Sequence, residues 1–543
     1  MRRLLVIAAL ALAAAPAAQA APSQESWFQD DNRLEFSPPA EVNKTLDRLD
    51  ELGVDRLRVS VFWVSVAPDP DSDKRPDFDA RDPDAYPQAK WERFDHLVRE
   101  AAKRGIGIMW DITGPAPDWA TGSPKARTDL DDVWTPDPKE FGDFVAAFGT
   151  RYSGSFIRPE DRPKEVFDPG SGGSPLLPGY VPPSTTTTEP GPPLPRVDHW
   201  EIWNEPNWGA WLAPQSTVRK VAGKKQWVPN SPRLYRRLAD AMYAALVATG
   251  HEADTIMLGA TAPKGIAARD VSKAIRPADF IRDLYCVNGF NQVFKGSAAK
   301  VRGCPSKDQI ERFPALHPVL FKATGYSHHP YELTFSPHTP PPDPKYFTIA
   351  NLDRLSHTLR FAWLRYRQPV PSGGVPLYLT EFGYQTNPPD RAGVSLAKQA
   401  AYISEAEYIT WKNRSVRSLT QYLLVDGGKP VGKTFQTGLL FVDGRTKPAL
   451  QAYKLPIFLP RQRIKAGSKV LVWGLIRPGA NDKAHEVKIQ WRAASSKTYR
   501  TLATRKTSEA RGYLYERVRI PGTGRVRLFW NGQVSRSVNV WAR

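Results

Sequence analysis

The most constraining feature of the sequence is an alternation of short β-like runs with amphipathic helical runs from residue 26 to about residue 455. This alternation is typical of an α/β fold with a parallel sheet. The runs with strand character are Ser26–Asp30, Arg56–Phe62, Gly107–Ile112, Asp198–Asn204, Thr255–Ala260, Ala323–His328, Leu377–Glu381 and Ser418–Val425. Helical runs cover 40–52, 91–104, 139–150, 231–249, 278–285, 351–366, 396–411 and 447–455.

Eight such β/α units in roughly 430 residues predict a (β/α)8 TIM barrel with insertions, here assigned to residues 21–459. A doubly wound open sheet is the alternative, and the glycine-rich fingerprint expected after its first strand is not found. Residues 153–197 contain 11 prolines and a run of four threonines, which predicts a mostly unstructured insertion. Because it precedes the fourth strand, we expect it on the barrel face opposite the active site.

The pattern changes after residue 460. Six short β-like runs follow, and several of them are separated by Gly, Pro, Asn or Asp. This spacing predicts a small all-β sandwich domain over residues 460–543. Arg2 and Arg3, an apolar run too short to span a bilayer, and Ala18-Gln19-Ala20 predict a bacterial-type Sec signal peptide over residues 1–20. We therefore expect a secreted or cell-surface protein with no membrane span.

The only two cysteines, Cys286 and Cys304, are predicted to form a disulfide, because an exported chain meets an oxidising compartment. Two buried free thiols are the alternative. The formal charge of +19 is unevenly distributed: residues 461–543 contain 19 Lys and Arg but only 4 Asp and Glu, whereas residues 21–460 carry a net charge of only +2. The charge therefore belongs to the predicted sandwich, where it favours attachment to an anionic wall or matrix polymer. A solvated arginine-rich surface is the alternative.

Two carboxylates end apolar strands on opposite sides of the predicted barrel. The fourth strand runs into Trp203-Asn204-Glu205-Pro206, where proline stops the strand, and the seventh runs into Thr380-Glu381-Phe382-Gly383. Both glutamates are expected at the C-terminal rim, where barrel enzymes place their active sites. Two facing carboxyl groups are what glycoside hydrolysis needs: one protonates the leaving oxygen, and the other attacks or activates water.

With these two motifs, the chain resembles clan A glycoside hydrolases, most closely families 39 and 5, over about residues 26–455. The resemblance implies a retaining β-glycosidase with Glu205 as the acid/base and Glu381 as the nucleophile. It also implies that Arg58 hydrogen-bonds the nucleophile, that Asn204 holds the sugar 2-hydroxyl, and that His329 and Tyr331 form the clan's His-x-Tyr pair. His328 is an alternative to His329.

Aromatic residues crowd the predicted rim and are candidates for stacking on sugar rings. Together with one carboxylate that ends the third strand, the candidate substrate-binding residues are Trp63, Trp110, Asp111, Trp203, Trp208 and Tyr422. Tyr422 lies on the eighth strand, where many clan members have a tryptophan.

The leading function is hydrolysis of a polysaccharide or oligosaccharide. The alternative is a non-catalytic carbohydrate-binding protein of the cell surface, although such a protein need not keep both glutamates. No cofactor is expected, and the His328-His329 pair lacks a third metal ligand at a recognisable spacing. Nucleic-acid binding by the basic C-terminal segment is not expected from an exported chain without a nucleic-acid-binding motif.

Overall fold

The computed structural model describes residues 23–122, 127–170, 175 and 181–543. The predicted signal peptide lies outside the described residues. Eight parallel strands form a closed barrel in chain order, which confirms the predicted TIM-like fold. These strands, β1–β8, are Glu25–Gln29, Arg56–Phe62, Gly107–Thr113, His199–Ile202, Thr255–Thr261, Gly325–His328, Leu377–Phe382 and Val416–Tyr422.

One principal helix follows each barrel strand. The helices, α1–α8, are Pro39–Glu51, Glu92–Lys103, Pro138–Arg151, Ser231–Ala248, Pro277–Leu284, Leu352–Arg365, Leu396–Lys412 and Pro448–Lys454. Their buried faces pack on the outside of the barrel and form one large apolar core with it. Shorter helices in the connections are Asp31–Leu34, Trp63–Val66, Gly296–Val301, Phe313–Leu316 and Val319–Lys322.

The interior of the barrel is a packed layer rather than a channel. Trp27, Met109, Met257 and Tyr378 form a small buried cluster of their own. They come from β1, β3, β5 and β7, and contributions from alternate strands are how a layer fills a barrel of this type. This apolar layer closes the barrel beneath the polar residues at its C-terminal end.

The connections contain three small sheets. In the predicted insertion, Glu165–Asp168 pairs with Ser184–Thr187 as an exposed antiparallel ribbon, so this segment has more regular structure than its composition suggested. A second antiparallel ribbon, Ser216–Val221 with Lys224–Pro229, lies in the connection after β4. Thr386–Asn387 and Val394–Ser395 pair after β7. No helix in the described part of the chain is both long and apolar enough to cross a bilayer.

The C-terminal segment consists of two sheets around a separate apolar core. Its strands, β9–β17, are Ile457–Phe458, Arg463–Ile464, Lys469–Leu475, Glu486–Ala493, Arg500–Lys506, Tyr513–Arg519, Gly524–Trp530, Gln533–Val534 and Val538–Ala542. The first sheet has the order β9-β11-β14, and the second has the order β10-β17-β15-β12-β13 with β16 beside β15. The first of these strands begins at Ile457, just after α8 ends.

The C-terminal sheets pack directly on the barrel. Arg477 is buried, pairs with Glu407 on α7, and donates a hydrogen bond of 2.8 Å to the hydroxyl of Ser26. Arg511 forms an ion pair of 2.5 Å with Asp55 at the start of β2. Gly53 has φ +72°, and a Cβ there would lie 2.1 Å from the Arg477 carbonyl oxygen, so this close approach requires glycine. The contacts with Ser26 and Asp55 involve the N-terminal end of the barrel, opposite its C-terminal mouth.

A disulfide joins Cys286 and Cys304, as predicted, with a Cα–Cα distance of 5.5 Å. Cys286 lies just after α5, and the 18-residue separation closes the loop that contains the helix Gly296–Val301. The bridge fastens this loop to the outer layer of the barrel.

Candidate active site

Glu205 and Glu381 converge at the C-terminal mouth of the barrel. Both carboxylates lie within reach of one imidazole: the Nδ1 atom of His329 is 3.0 Å from Glu205 Oε1 and 3.7 Å from Glu381 Oε2. The two glutamate side chains retain 11% and 13% of their exposure, whereas that of His329 is fully buried. A ligand at the mouth can therefore reach both carboxylates.

The exit of β4 has an unusual backbone that positions the acid motif. Trp203 and Glu205 have φ angles of +62° and +36°, a region that side chains other than glycine rarely adopt. Hydrogen bonds to both neighbouring strands hold this conformation: the Asn204 N–H donates to the Thr113 hydroxyl at 2.9 Å, and the Glu205 N–H donates to the Ala260 carbonyl at 3.0 Å. Such conformations cost on the order of 1–3 kcal/mol each and are concentrated at functional sites.

Arg58 organises the floor of the site. Its side chain is fully buried, and all five guanidinium N–H groups have an acceptor. The acceptors, at 2.6–2.9 Å, are Gln29 Oε1, Asp111 Oδ2, Glu201 Oε2, Asn204 Oδ1 and Glu381 Oε1. A guanidinium with every donor in use has one orientation, so the position of Glu381 is fixed.

The sequence analysis did not find Glu201 or Gln29. Both side chains are buried within strands, and each accepts a hydrogen bond from Arg58. Glu201 is a charged residue within an otherwise apolar barrel strand. Because a buried carboxylate requires a partner, this position could have been recognised from the sequence. Gln29 carries no comparable indication in the sequence.

The environment of Glu381 favours its ionised form over that of Glu205. Burial raises the pKa of Glu381 to about 7, and the Arg58 cation and a 3.0 Å hydrogen bond from the Tyr331 hydroxyl oppose that rise. Burial, followed by the negative charge of Glu381, raises the pKa of Glu205 well above its ordinary value. The hydrogen bonds from Arg58 and Tyr331 therefore favour the ionised form of Glu381, whereas burial and the charge of Glu381 favour the protonated form of Glu205.

His329 is neutral at this site. Burial, and then the nearby Arg58 cation, lower the pKa of its imidazole well below the ordinary value. His328, the alternative left open by the sequence, lies elsewhere: its two ring nitrogens are 2.8 Å from the Thr261 hydroxyl and 2.8 Å from the Phe347 carbonyl. His328 is thus a buried structural residue, and the residue beside the carboxylates is His329.

Three predicted sugar-stacking tryptophans are not available to a ligand. Trp63, Trp110 and Trp203 have no exposed surface. Trp63 packs on Phe144, and Trp110 packs on Tyr152, between the barrel and its helices. Alternate residues of a strand face opposite sides, so Trp110 points outward where Asp111 points inward. The prediction of a substrate-binding role for these three residues is wrong.

Asp111 is also not a substrate ligand. It is fully buried and bonded to Arg58 at 2.9 Å. Burial, together with the charges of Glu201 and Glu381, raises the pKa of Asp111 well above its ordinary value. The pKa of Asp111 stays high because several carboxylates share the single positive charge of Arg58, which cannot neutralise them all. Asp111 therefore helps to hold the Arg58 guanidinium in place.

Other aromatic residues do line the mouth. Trp208 is 42% exposed, three residues after Glu205. Tyr422 is partly buried, with its ring edge-on to Tyr331 at 6.4 Å and to Phe435 at 5.3 Å. A stack missed by the sequence analysis runs through Phe36, Phe62 and Trp211, with successive ring centroids 6.1 Å apart. Flat aromatic faces of this kind suit the apolar faces of sugar rings.

Arg58→Lys tests whether the saturated guanidinium positions the Glu381 carboxylate. Lysine has three donors, so two of the five acceptors lose their partner and Glu381 becomes free to move. We expect kcat to fall by about 10²-fold, the scale of a 1 Å misplacement. Arg56→Lys is the matched control: Arg56 lies two residues earlier on β2 and bonds Asp198 and the Ile108 carbonyl at the other end of the barrel. Similar kcat values for the two variants would contradict the positioning role.

Comparisons with known proteins retrieve glycoside hydrolases, the group that the motifs resemble. No family model and no curated protein matches the sequence. Solved structures that align include a family 39 glycoside hydrolase from Bacteroides cellulosilyticus WH2 (14% identity, 96% of this chain and 80% of that chain, TM-score 0.42). A glucosidase from Croceicoccus marinus aligns at 12% identity over 95% and 97% of the two chains, with TM-score 0.46.

A monomeric beta-xylosidase from Caulobacter crescentus CB15 aligns at 14% identity over 93% of this chain and 96% of that chain, with TM-score 0.43. At these identities and TM-scores the likenesses carry no argument about the reaction. The fold itself is established by the strand pairing of the closed barrel.

Proposed function

We propose that the protein is a secreted retaining β-glycosidase that hydrolyses O-glycosidic bonds of an oligosaccharide or polysaccharide. The observation that carries the proposal is a pair of carboxylates at the barrel mouth with different surroundings. Glu381 receives hydrogen bonds from Arg58 and Tyr331, whereas Glu205 contacts the neutral His329 and forms no ion pair with a lysine or arginine among the described residues. When two carboxyl groups have different pKa values, the group with the lower pKa serves as base or nucleophile and the other serves as acid.

In the first step, the ionised Glu381 attacks the anomeric carbon of the bound sugar. The glycosidic C–O bond breaks, and Glu205 transfers its proton to the departing oxygen. The products are a glycosyl ester on Glu381, the released alcohol and an ionised Glu205. Tyr331 and Arg58 hold the attacking carboxylate in place throughout.

In the second step, water replaces the alcohol. Esterification removes the charge of Glu381, so the pKa of Glu205 falls from its raised value and Glu205 can serve as a base. It takes a proton from the water, whose oxygen attacks the anomeric carbon and displaces Glu381. Glu205 is protonated again and Glu381 is again a carboxylate, so the cycle closes.

The spacing of the carboxylates fits the retaining mechanism. His329 Nδ1 lies between the two, so the nearest pair of carboxylate oxygens is separated by no more than the sum of 3.0 and 3.7 Å. That upper limit reaches only the lower edge of the roughly 6.5–9.5 Å separation of inverting enzymes, whereas retaining enzymes have about 5–5.5 Å.

Asn204 is placed to bind the sugar beside the reacting carbon. Arginine has only donors, so the Asn204 atom that faces Arg58 is the carbonyl oxygen Oδ1. The amide Nδ2 is then the group left to donate to a sugar hydroxyl. Hydrogen bonds to the 2-hydroxyl that strengthen in the transition state supply several kcal/mol in such reactions.

Export is part of the proposal. Arg2, Arg3 and the Ala18-Gln19-Ala20 site support a cleaved signal peptide, and the disulfide between Cys286 and Cys304 fits an oxidising compartment. The proposed substrate is an extracellular glycan. The near-neutral charge of residues 21–460 favours a neutral glycan at the catalytic mouth.

A panel of aryl α- and β-glycosides and of oligosaccharides tests the function. We expect hydrolysis of at least one β-linked sugar and none of its α anomer. The chain with both Glu205 and Glu381 changed to Gln is the control for contaminating activity. If the wild-type protein hydrolyses nothing on a broad panel but still binds a glycan, the non-catalytic alternative replaces the proposal.

The pH dependence of kcat/KM follows from the two glutamates. Below the Glu381 pKa of about 7 the nucleophile is protonated, so kcat/KM falls about tenfold for each pH unit. Tyr331→Phe removes a hydrogen bond that stabilises the carboxylate, so the acid limb moves to higher pH. Tyr422→Phe is the control, because that phenol makes no hydrogen bond to Glu381 in the described structure. An acid limb unmoved by Tyr331→Phe would contradict the assignment.

A further inference from the structure

A groove in the C-terminal domain is lined by eleven residues, of which six are basic and none is acidic. It has a volume of about 940 Å³ and lies where β10 and β11 come from different sheets of the sandwich. Its six charged lining residues, all positive, are Arg461, Arg463, Lys465, Lys469, Arg517 and Arg543. All six are exposed, and this set is called the basic groove below.

The cations of the basic groove are unneutralised. Within residues 23–122, 127–170, 175 and 181–543, none of the six forms an ion pair with a carboxylate. The domain's few acidic residues do not line the groove, and the one on β14, Glu516, pairs with Arg505 instead. Six like charges around one concavity repel each other, so an anion in the groove would be bound favourably.

An exposed indole continues the basic groove at one end. Trp541 is 48% exposed and lies directly opposite Arg463 on the paired strands β17 and β10. Arg463 and Arg543 also line a smaller concavity with Trp541, and this concavity joins the basic groove to a cleft of about 740 Å³ beside α7. All three concavities share Arg463, and the Trp541 ring lies beside Arg463 and Arg543. The cleft beside α7 also has Asp353 and Glu405 in its lining, so the unbroken set of positive charges is confined to the basic groove.

We propose that the basic groove and Trp541 bind an anionic polysaccharide, a chain of sugars that carries carboxylate or phosphate groups. Arginine forks match the geometry of both groups with paired hydrogen bonds. The indole supplies a stacking face for a sugar ring between the charges. The basic groove is open, so it can bind a stretch within a longer polymer chain. Its position on the C-terminal domain leaves the catalytic mouth free.

This proposal is independent of the catalytic one, because binding is measured without hydrolysis. The full-length chain is immobilised, and its Kd is measured for polygalacturonate, for a phosphorylated mannan, for neutral dextran and for a single-stranded DNA oligonucleotide. We expect binding to at least one of the two anionic glycan-type polymers, no binding to dextran, and weakening as salt rises from about 50 to 500 mM. The two anionic polymers distinguish the carboxylate source from the phosphate source.

Charge reversal, rather than deletion, tests the site. Removing the domain would expose Trp411 and Tyr408 and leave Glu407 without its partner Arg477, so truncation confuses binding with stability. The test variant carries Arg463→Glu, Lys469→Glu and Arg517→Glu. The matched control carries Lys483→Glu, Lys497→Glu and Lys506→Glu, three exposed residues of the same domain outside the groove, with the same change in net charge.

We expect Kd for the preferred polymer to rise about 100-fold in the groove variant and less than fivefold in the control. Trp541→Ala should weaken polygalacturonate or phosphorylated mannan binding about fivefold, because the sugar ring loses its stacking face. Circular dichroism and melting temperature establish that each variant is folded, and Gln in place of Glu repeats the test if one is not. Equal losses in groove and control variants, or binding to DNA with none to either anionic polymer, would overturn the proposal.

Discussion

Glu381→Gln abolishes turnover. Glutamine fills the same space, and its amide oxygen can accept from Arg58 while its NH2 group donates to the Tyr331 hydroxyl oxygen, but the amide has no negative charge with which to attack the anomeric carbon. We expect kcat for an aryl glycoside to fall by 10⁴-fold or more, on the order seen when a nucleophile is removed from a catalytic unit. Steady-state kinetics on the best substrate of the glycan panel measure the effect.

The control for this variant is Glu332→Gln. Glu332 is another buried glutamate at the same rim, but it pairs with Lys264 at 2.9 Å and touches neither Glu205 nor Glu381. We expect its kcat to stay within about tenfold of wild type, as for a side chain outside the reacting set. If Glu381→Gln retains wild-type kcat, the nucleophile is a different residue.

Glu205→Gln gives a loss that depends on the leaving group. Without a proton donor, glycosides with poor leaving groups lose about 10²–10⁴-fold in kcat/KM, the usual worth of general acid catalysis. A dinitrophenyl glycoside needs no protonation, so its first step is nearly unchanged. The ester on Glu381 then accumulates, because the water that should release it has lost its base.

Azide distinguishes the proposed acid/base role of Glu205 from the proposed nucleophile role of Glu381. As an anion it attacks the glycosyl ester without a general base, so we expect it to restore turnover of the dinitrophenyl glycoside by Glu205→Gln and to give a β-glycosyl azide. Glu381→Gln cannot form the ester, so no β-azide is expected from it. A β-azide product from Glu381→Gln and none from Glu205→Gln would reverse the two assignments.

Much of the fold was predictable because it rests on local patterns. Each predicted barrel strand overlaps an observed one, since apolar β-like runs must be buried between helices in a closed parallel barrel. Glu205 and Glu381 could be singled out because each carboxylate ends an apolar strand, where a barrel directs side chains to one mouth. Their convergence around His329 is a property of the folded chain.

The errors arose where a residue's direction decides its role. Trp110 and Asp111 are neighbours in sequence, yet one packs between β3 and the outer helices and the other bonds Arg58 inside the barrel. Successive residues of a strand point to opposite faces of the sheet, and the sequence alone does not show which residues point into the barrel. Glu201 was missed for the same reason, because its inward direction makes it a partner of Arg58.

The structure shows where the positive charge of the C-terminal domain lies, which its composition does not. A count of Lys and Arg predicts only that the domain is basic. The two sheets bring Arg463, Lys469 and Arg517 from three separate strands to one concavity, whereas Arg477 and Arg511 turn to carboxylates of the barrel. The same residue type therefore serves attachment between domains at one place and forms an unneutralised groove at another.

Covalent trapping tests the central claim most directly. The wild-type chain is incubated with the 2-deoxy-2-fluoro glycoside of the sugar preferred on the panel, carrying a dinitrophenyl leaving group, and is then digested and analysed by mass spectrometry. Fluorine slows both the transfer and the release of the sugar, and the dinitrophenyl leaving group restores the rate of the transfer only, so the glycosyl ester persists. The account predicts one fluorosugar per chain, on the peptide containing Glu381, and none on Glu381→Gln. Rapid hydrolysis of the parent glycoside with no labelled peptide, or a label on Glu205, would contradict it.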